Sequence, residues 1–127
     1  MGERVSTAIT GIRTVAIPVT DQDRAVEFYV STLGLEKLLD APIEQLGGRW
    51  IEVAPSESTT SIALVPASPE APTGVETGIR LTTADAASLH NELVKRGVDV
   101  GELLLWEGVP PMFTFRDPDS NGLVIVE

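Results

Sequence analysis

A run of carboxylate and amide side chains near the end of the sequence has the spacing of a calcium-binding loop. Residues 117 to 122 read DPDSNG, which matches the first half of the pattern that begins an EF-hand loop. The glutamate that completes the pattern would fall one residue beyond Glu127. The flanking stretches MFTF and LVIV predict strands rather than the two helices of an EF-hand. We therefore interpret this segment as a turn, which proline, asparagine and glycine all favour.

Few other residues could bind a metal ion or act as a catalytic nucleophile. The sequence has no cysteine, which excludes disulfides, thiolate catalysis, iron–sulfur clusters and cysteine-based zinc sites. The single histidine, His90, lies in SLHNELV, where Leu89 and Leu93 supply the apolar positions of a helix. We interpret His90 as a packed or solvent-edge residue rather than as a ligand.

Composition and charge restrict the partners. The 127 residues are 43% hydrophobic, which fits one compact domain with a single core. A net charge of −10 argues against nucleic acid and anionic membrane surfaces as partners. The first ten residues, MGERVSTAIT, lack the apolar core of a signal peptide, and no apolar run is long enough to span a membrane. The expectation is a cytoplasmic protein.

The sequence repeats one plan of strand, helix and three strands. The first half predicts a strand at 12–19, a helix at 21–34 and strands at 36–39, 49–53 and 61–65. The second half predicts a strand at 77–82, a helix at 85–97 and strands at 99–104, 112–116 and 123–126. The two helices correspond with a slip of one residue, and PASPEAPTG between the halves reads as a linker. We predict one α+β domain with modules at about 10–66 and 75–127 and a linker at about 67–74.

Two motifs in this duplicated plan resemble a known family. The first half contains D-x-x-R-A-x-x-F-Y-x-x-x-L-G, and the second half ends with F-x-D-P-D-x-N-G. With the βαβββ duplication, they resemble the vicinal oxygen chelate superfamily, which includes glyoxalase I, the bleomycin-resistance proteins and the extradiol dioxygenases. The resemblance covers almost the whole chain. It implies a U-shaped mixed sheet around a cavity, with the DPDSN turn joining the last two strands.

The resemblance also implies four metal-ligand positions, one on each of four strands. The metal in such enzymes is a divalent Lewis acid that binds two adjacent substrate oxygens. Carried over onto this sequence, the positions hold Thr14, Ala63, Gly78 and Val124, and a two-residue slip would move the third to Glu76. This set supplies no competent ligands, since a catalytic site needs about three. No cofactor is expected, and a bound Ni, Zn, Fe or Mn ion is the alternative.

The same strand faces are expected to line a cavity. Alternation puts Thr14, Ala16, Gly78, Arg80 and Val124 on the face that carries ligands in the family's enzymes. Small residues there leave room for a ligand. Arg80 either clamps an anionic group through bidentate hydrogen bonds or is a structural residue, paired with Glu52 or exposed at the strand end.

The two tryptophans are further candidates. Trp50 is either a stacking platform for a planar ligand or an ordinary packing residue. Trp106 precedes Gly108, Pro110 and Pro111, so it belongs to a loop that could close over the cavity. The candidate ligand-binding residues are Thr14, Trp50, Glu52, Ala63, Glu76, Gly78, Arg80, Trp106, Met112 and Val124.

Three functions fit these features. The first is a metal-free binding protein that holds a planar or hydrophobic small molecule in the sheet cavity. The second is a divergent metal-dependent lyase, isomerase or dioxygenase, or an enzyme that uses Glu52 or Glu76 with a pKa raised by burial. The third is an interaction module whose cavity is filled. A homodimer with an isologous interface is the usual assembly that the resemblance implies.

Overall fold

The structure is a computed structural model that describes residues 8–127. It contains two copies of the predicted order of strand, helix and three strands. The strands are β1 (Thr14–Val19), β2 (Glu36–Ile43), β3 (Gly48–Ala54), β4 (Ser61–Pro66), β5 (Glu76–Thr82), β6 (Asp99–Val100), β7 (Met112–Arg116) and β8 (Gly122–Val126). The helices are α1 (Gln22–Val26), which continues as a π-helix (Glu27–Thr32), and α2 (Ala86–Lys95), with a short 3₁₀ turn at Glu44–Leu46.

The strands form two four-stranded mixed sheets, one from each half of the chain. The first sheet has the order β1-β4-β3-β2, and the second has the equivalent order β5-β8-β7-β6. In each sheet the first and last strands of the repeat pair in parallel, while the neighbouring strands pair antiparallel. The α+β architecture predicted from the sequence is confirmed, with hydrogen bonding that divides the strands equally between the two sheets.

Both helices begin at an aspartate that caps the free amide groups of the first turn. The side chain of Asp21 accepts from the backbone N–H of Arg24 at 3.0 Å, and Asp85 accepts from Ser88 at 3.0 Å. The two halves therefore start their helices with the same side-chain contact, as the repeated sequence plan predicts.

The first helix differs from the predicted continuous α-helix because its second half is a π-helix. Here the N–H of Leu33 donates to the carbonyl of Phe28, five residues earlier, at 3.0 Å. A π-helical turn usually accommodates one extra residue within an α-helix. The one-residue slip between the two predicted helices has this physical basis, since the first half carries its surplus residue in the π-helix.

Two predicted strands are shorter than expected. The strand predicted to begin at Ile12 begins at Thr14, because β4 offers pairing partners only from Ser61, which is in register with Thr14. The strand predicted at 99–104 ends at Val100, and the chain then rejoins β7 through an isolated bridge between Leu104 and Met112.

Each sheet packs one face against the hydrophobic core and turns the other face away from it. The buried faces and the two helices share one hydrophobic core that includes residues of both halves. Its fully buried members include Ile17, Val19, Ala25, Tyr29, Ile51, Val53, Leu64, Ala86, Phe113 and Phe115. Because side chains alternate along a strand, the residues between these positions lie on the opposite face, which we call the open face. No helix within residues 8–127 is long and apolar enough to cross a membrane.

The DPDSN segment is the turn between β7 and β8, and it also joins the two halves. The Asp117 carboxylate accepts from the Tyr29 hydroxyl at 2.8 Å and from the backbone N–H groups of Asp119 and Asn121. Burial, and next the Asp117 charge, raise the pKa of Tyr29, so its hydroxyl remains a donor. The aspartate oxygens that suggested calcium ligands therefore accept hydrogen bonds from the protein itself.

Asn121 completes this connection and is fully buried. Its Nδ2 group donates to the carbonyl of Pro18 in β1 at 2.8 Å and to Asp117 at 3.1 Å. Its Oδ1 atom accepts from the N–H groups of Gly74 and Val75 in the connection between the sheets. One side chain thereby bonds the first sheet, the connection and the last turn.

Candidate ligand-binding site

A buried carboxylate lies on the open face of the first sheet. Glu52 in β3 is 5% exposed. Its Oε2 atom accepts from the Trp50 indole N–H at 2.7 Å, and its Oε1 atom accepts from the Ser61 hydroxyl at 2.7 Å. Nη2 of Arg13 lies 3.7 Å from Oε2. We call these four residues the Glu52 cluster.

The sheet itself positions this cluster. Trp50 and Glu52 are two residues apart on one strand, so both side chains project from the same face. Glu52 pairs with Ala63 on β4, and alternation puts Ser61 on that face as well. Ala63 is fully buried, while Ala16, its partner on β1, is exposed.

The hydrogen bond from Trp50, followed by that from Ser61, lowers the pKa of Glu52 below its ordinary value. Burial acts in the opposite direction, and the nearby Arg13 charge adds to the lowering. The enzyme alternative needed a pKa of Glu52 raised by burial, and the two hydrogen-bond donors give the opposite direction. At neutral pH this residue is an ionised acceptor and not a proton donor.

A cavity of about 330 Å³ adjoins the carboxylate. Glu52, Ser61 and Arg13 form its polar wall, and Leu38 and Leu39 form an apolar wall. Leu38 and Leu39 are 54% and 42% exposed, so this apolar surface is open to a ligand. We call this space the Glu52 cavity.

The open face of the second sheet carries the opposite charge. Arg80 in β5 is exposed and pairs in register with Val124 of β8. Its Nη1 atom donates to the carbonyl of Gly78 at 3.2 Å, and within residues 8–127 it forms no ion pair. The predicted alternative of a pair with Glu52 is not found, since Glu52 pairs with Arg13.

A second cavity lies between the two sheets. Its volume is about 190 Å³, and its wall includes Ser61 and Ile62 from the first sheet and Arg80 and Thr82 from the second. Ser61 contacts both this space and the Glu52 cavity. The open faces therefore bring an ionised carboxylate and a guanidinium that has no ion pair within residues 8–127 to neighbouring spaces.

Glu76 is exposed and forms an ion pair with Arg116. Both residues pair in register with Gly122, and a Cβ atom added there would collide with both side chains. The ion pair therefore crosses the open face above a glycine that is needed for its close approach. Glu76 is thus not the buried carboxyl that an acid–base role was predicted to need.

The remaining predicted residues lie apart from the Glu52 cluster. Trp106 is 62% exposed on the loop that leads to β7, together with Leu105. Met112 is half-buried in β7 and pairs with Val126. The ring of His90 bonds to the carbonyl of Gly101 at 2.8 Å, which gives this histidine a structural contact.

The four positions implied for a metal do not form a suitable donor set. Thr14 offers one hydroxyl, which donates to the carbonyl of Ser61 at 3.2 Å, while Ala63 and Val124 offer none. Gly78 has a φ of +74° within an irregular stretch of β5, a conformation that strains residues with a side chain. No group of three or more histidine, cysteine, aspartate or glutamate side chains suited to a metal occurs within the described residues.

Sequence reasoning missed four residues of the site, namely Arg13, Leu38, Leu39 and Ser61. Ser61 was open to prediction, because it lies two residues before Ala63 on a predicted strand and so shares its face. Leu39 faces Glu52 only through the pairing register of β2 with β3, which includes an irregularity after Lys37. Arg13 lies just before β1, and its approach to Glu52 depends on the three-dimensional path of the chain.

Comparisons with known proteins agree with this architecture. The crystal structure of TnmS3, an antibiotic binding protein from Streptomyces sp. CB03234, is 34% identical with a TM-score of 0.85, over 95% of this chain and 98% of that chain. A glyoxalase/bleomycin resistance protein from the same organism is 34% identical with a TM-score of 0.80, over 92% of this chain and 100% of that chain. A superfamily member from Sphaerobacter thermophilus DSM 20745 is 32% identical with a TM-score of 0.85, over 95% and 99% of the two chains.

A search of curated proteins found no match. The family model of the Glyoxalase/Bleomycin resistance protein/Dioxygenase superfamily matches residues 11–125. With the two four-stranded sheets and the solved relatives, this match assigns the family. The chain belongs to the Glyoxalase/Bleomycin resistance protein/Dioxygenase superfamily.

Proposed function

We propose that this protein binds a planar or hydrophobic small molecule on the open faces of its two sheets. The observation that carries the proposal is the Glu52 cavity, where an ionised buried carboxylate adjoins exposed leucine side chains. A few fixed polar groups within an apolar lining are typical of ligand sites. The description of TnmS3 as an antibiotic binding protein supports the same role.

The proposed binding does not use a metal. Its support is the chemistry of Thr14, Ala63, Gly78 and Val124, which together offer one hydroxyl oxygen. The candidate binding groups are instead hydrogen-bonding and charged side chains, chiefly Glu52 and Arg80. A cytoplasmic location remains a prediction.

We also propose that the protein forms a homodimer. Ala16, Arg80 and Thr114 are exposed on the open faces, so one chain alone leaves much of the proposed site uncovered. A second copy is a suitable cover, since closed two-fold assemblies are the commonest homo-oligomers.

The first test is metal content after incubation with nickel, zinc, manganese and ferrous iron, followed by dialysis. We expect retention close to zero. Near-stoichiometric retention of one metal would contradict the metal-free proposal and favour the lyase, isomerase or dioxygenase alternative.

The second test is ligand binding followed by tryptophan fluorescence. A Trp106→Phe variant leaves Trp50 as the only tryptophan. A planar ligand in the Glu52 cavity is expected to quench this remaining emission with a saturable concentration dependence. A panel of planar antibiotics that leaves the emission unchanged, and shows no heat of binding by calorimetry, would contradict the proposal.

A further inference from the structure

The Glu52 cavity also indicates which ligands it prefers. We infer that it selects an organic cation, whose protonated nitrogen donates to the Glu52 carboxylate and displaces Arg13 while its apolar body packs on Leu38 and Leu39. This inference rests on the proposed small-molecule binding and adds the chemical class of the ligand.

The carboxylate retains acceptor capacity. An ionised carboxylate has about four lone-pair sites, and Trp50 and Ser61 occupy one on each oxygen. Both donors are neutral, so they fix the orientation of the group without cancelling its charge. Glu52 is therefore a preoriented anion at the wall of an accessible cavity.

Arg13 neutralises this charge only loosely. The 3.7 Å separation between Nη2 and Oε2 is too long for a hydrogen bond, and the Arg13 side chain is 81% exposed. Ion pairs with such an exposed partner contribute little, so an incoming cation can replace this one at small cost. An ammonium group that approaches to hydrogen-bond distance makes a stronger, charge-assisted contact.

The rest of the cavity suits an amphiphilic ligand. Leu38 and Leu39 present exposed apolar surface to the cavity, and Ser58 and Thr59 also line it. The net charge of −10 attracts cations from solution over long range. Charge, acceptor geometry and apolar wall therefore favour the same class of ligand.

Arg80 is the residue that would support the opposite preference. It lines the neighbouring cavity and has no ion-pair partner within residues 8–127, so an anionic ligand would bind there. A decisive experiment must therefore compare ligands of one shape and different charge.

The test uses three acridines and isothermal titration calorimetry at neutral pH. 9-Aminoacridine is a cation, acridine is neutral, and acridine-9-carboxylate is an anion, while all three share one planar ring system. We expect 9-aminoacridine to bind at least about tenfold more tightly than acridine, as one charge-assisted hydrogen bond predicts. Acridine-9-carboxylate is expected to bind weakest.

Variants assign the preference to Glu52. Glu52→Gln is expected to remove the tenfold advantage of the cation, and Arg13→Ala to strengthen cation binding by about two- to fivefold because a competing charge is lost. Glu70→Gln, an exposed position in the connection between the sheets, removes the same charge elsewhere and should leave the preference unchanged. Thermal unfolding of each variant checks that the fold is retained.

The outcomes distinguish the cation preference from the proposed binding of small molecules in general. If acridine or its carboxylate binds as tightly as 9-aminoacridine, the cation preference is wrong and small-molecule binding still stands. If Arg13→Ala weakens cation binding, or Glu70→Gln acts like Glu52→Gln, the assignment to the Glu52 cavity is wrong. If none of the three acridines binds, the inference fails together with the proposed planar-ligand site.

Discussion

At the residue scale, Glu52 shows how local donors decide the state of a buried acid. Burial alone disfavours the charged form of a carboxyl group. The Trp50 and Ser61 hydrogen bonds at 2.7 Å stabilise the charged form and outweigh that effect. An acid that would otherwise be a candidate proton donor thereby becomes a fixed negative charge.

The lowered pKa of Glu52 predicts a pH dependence of stability. A carboxyl whose pKa is lower in the folded than in the unfolded protein stabilises the fold above its ordinary pKa. This contribution is lost as pH falls from about 4.5 through the lower folded value. We expect the difference in unfolding free energy between the natural protein and Glu52→Gln to shrink on acidification.

Urea unfolding of both proteins between neutral pH and pH 3 measures this difference. Subtracting the unfolding free energy of the variant from that of the natural protein at each pH removes the contribution of the other carboxyl groups. A difference that grows as the pH falls would show that the folded protein prefers the protonated carboxyl, contrary to the assigned hydrogen bonds.

Asn121 is the residue whose loss should destabilise the fold most specifically. Asn121→Ala leaves the Pro18 carbonyl and the Gly74 and Val75 N–H groups without their side-chain partner. We expect a loss of about 3 kcal/mol in unfolding free energy, since each buried unsatisfied group costs about 1–3 kcal/mol. Urea denaturation measures the change.

The matched control is Asn91→Ala, the same substitution at an exposed position of α2. Its expected effect is within about 0.5 kcal/mol. Equal effects at the two positions would contradict the joining role of Asn121.

At the scale of elements, the π-helix is a difference between the two halves that a single extra residue explains. Its extra residue lies between the Asp21 cap and Gly34, which correspond to Asp85 and Gly97 at the two ends of α2. Removing one residue should therefore restore an ordinary α-helix with the same ends.

Deletion of the exposed residue Ser31 tests this expectation. We expect the shortened protein to fold with a loss below about 2 kcal/mol, because the helix can close as an α-helix. Deletion of Asn91 in α2 is the control, and it should cost far more because it rotates Leu93 out of the core. Circular dichroism and urea unfolding compare the two. Equal losses would show that the π-helix holds no surplus residue.

The sequence predicts the elements better than the site. Alternating Val, Ile and Phe positions predict most strands, and the paired aspartates and glycines predict both helices. The π-helix is invisible to the apolar pattern, since Phe28, Tyr29 and Leu33 fit an α-helix equally well. The Trp50–Glu52 contact follows from strand alternation once the strand is accepted, but the approach of Arg13 depends on tertiary structure.

At the scale of the whole molecule, exposed apolar side chains bear on the proposed homodimer. Leu105, Trp106 and Val109 lie on one loop and are 67%, 62% and 41% exposed. Clustered exposed apolar residues typically mark interaction surfaces. This loop is therefore a further part of the surface, besides the open faces, that we expect a second copy to cover.

Sedimentation and light scattering should give twice the mass of one chain. The double variant Leu105→Asp, Trp106→Ala is expected to shift the protein toward monomer by introducing a charge into the contact. Val94→Asp, at a position that is 51% exposed on α2, is the control and should leave the mass unchanged. A natural protein that remains monomeric at high concentration would contradict the homodimer.

The Asn121 side chain also has a consequence for how the protein is made. Its bond to Pro18 joins residues that are 103 positions apart. During synthesis, β1 therefore leaves the ribosome long before its partner at the last turn exists. Contacts of such long range are formed slowly. Until residue 121 emerges, part of the core that the first sheet shares with the second half is exposed. We therefore expect nascent chains of this protein to depend on chaperones during this period.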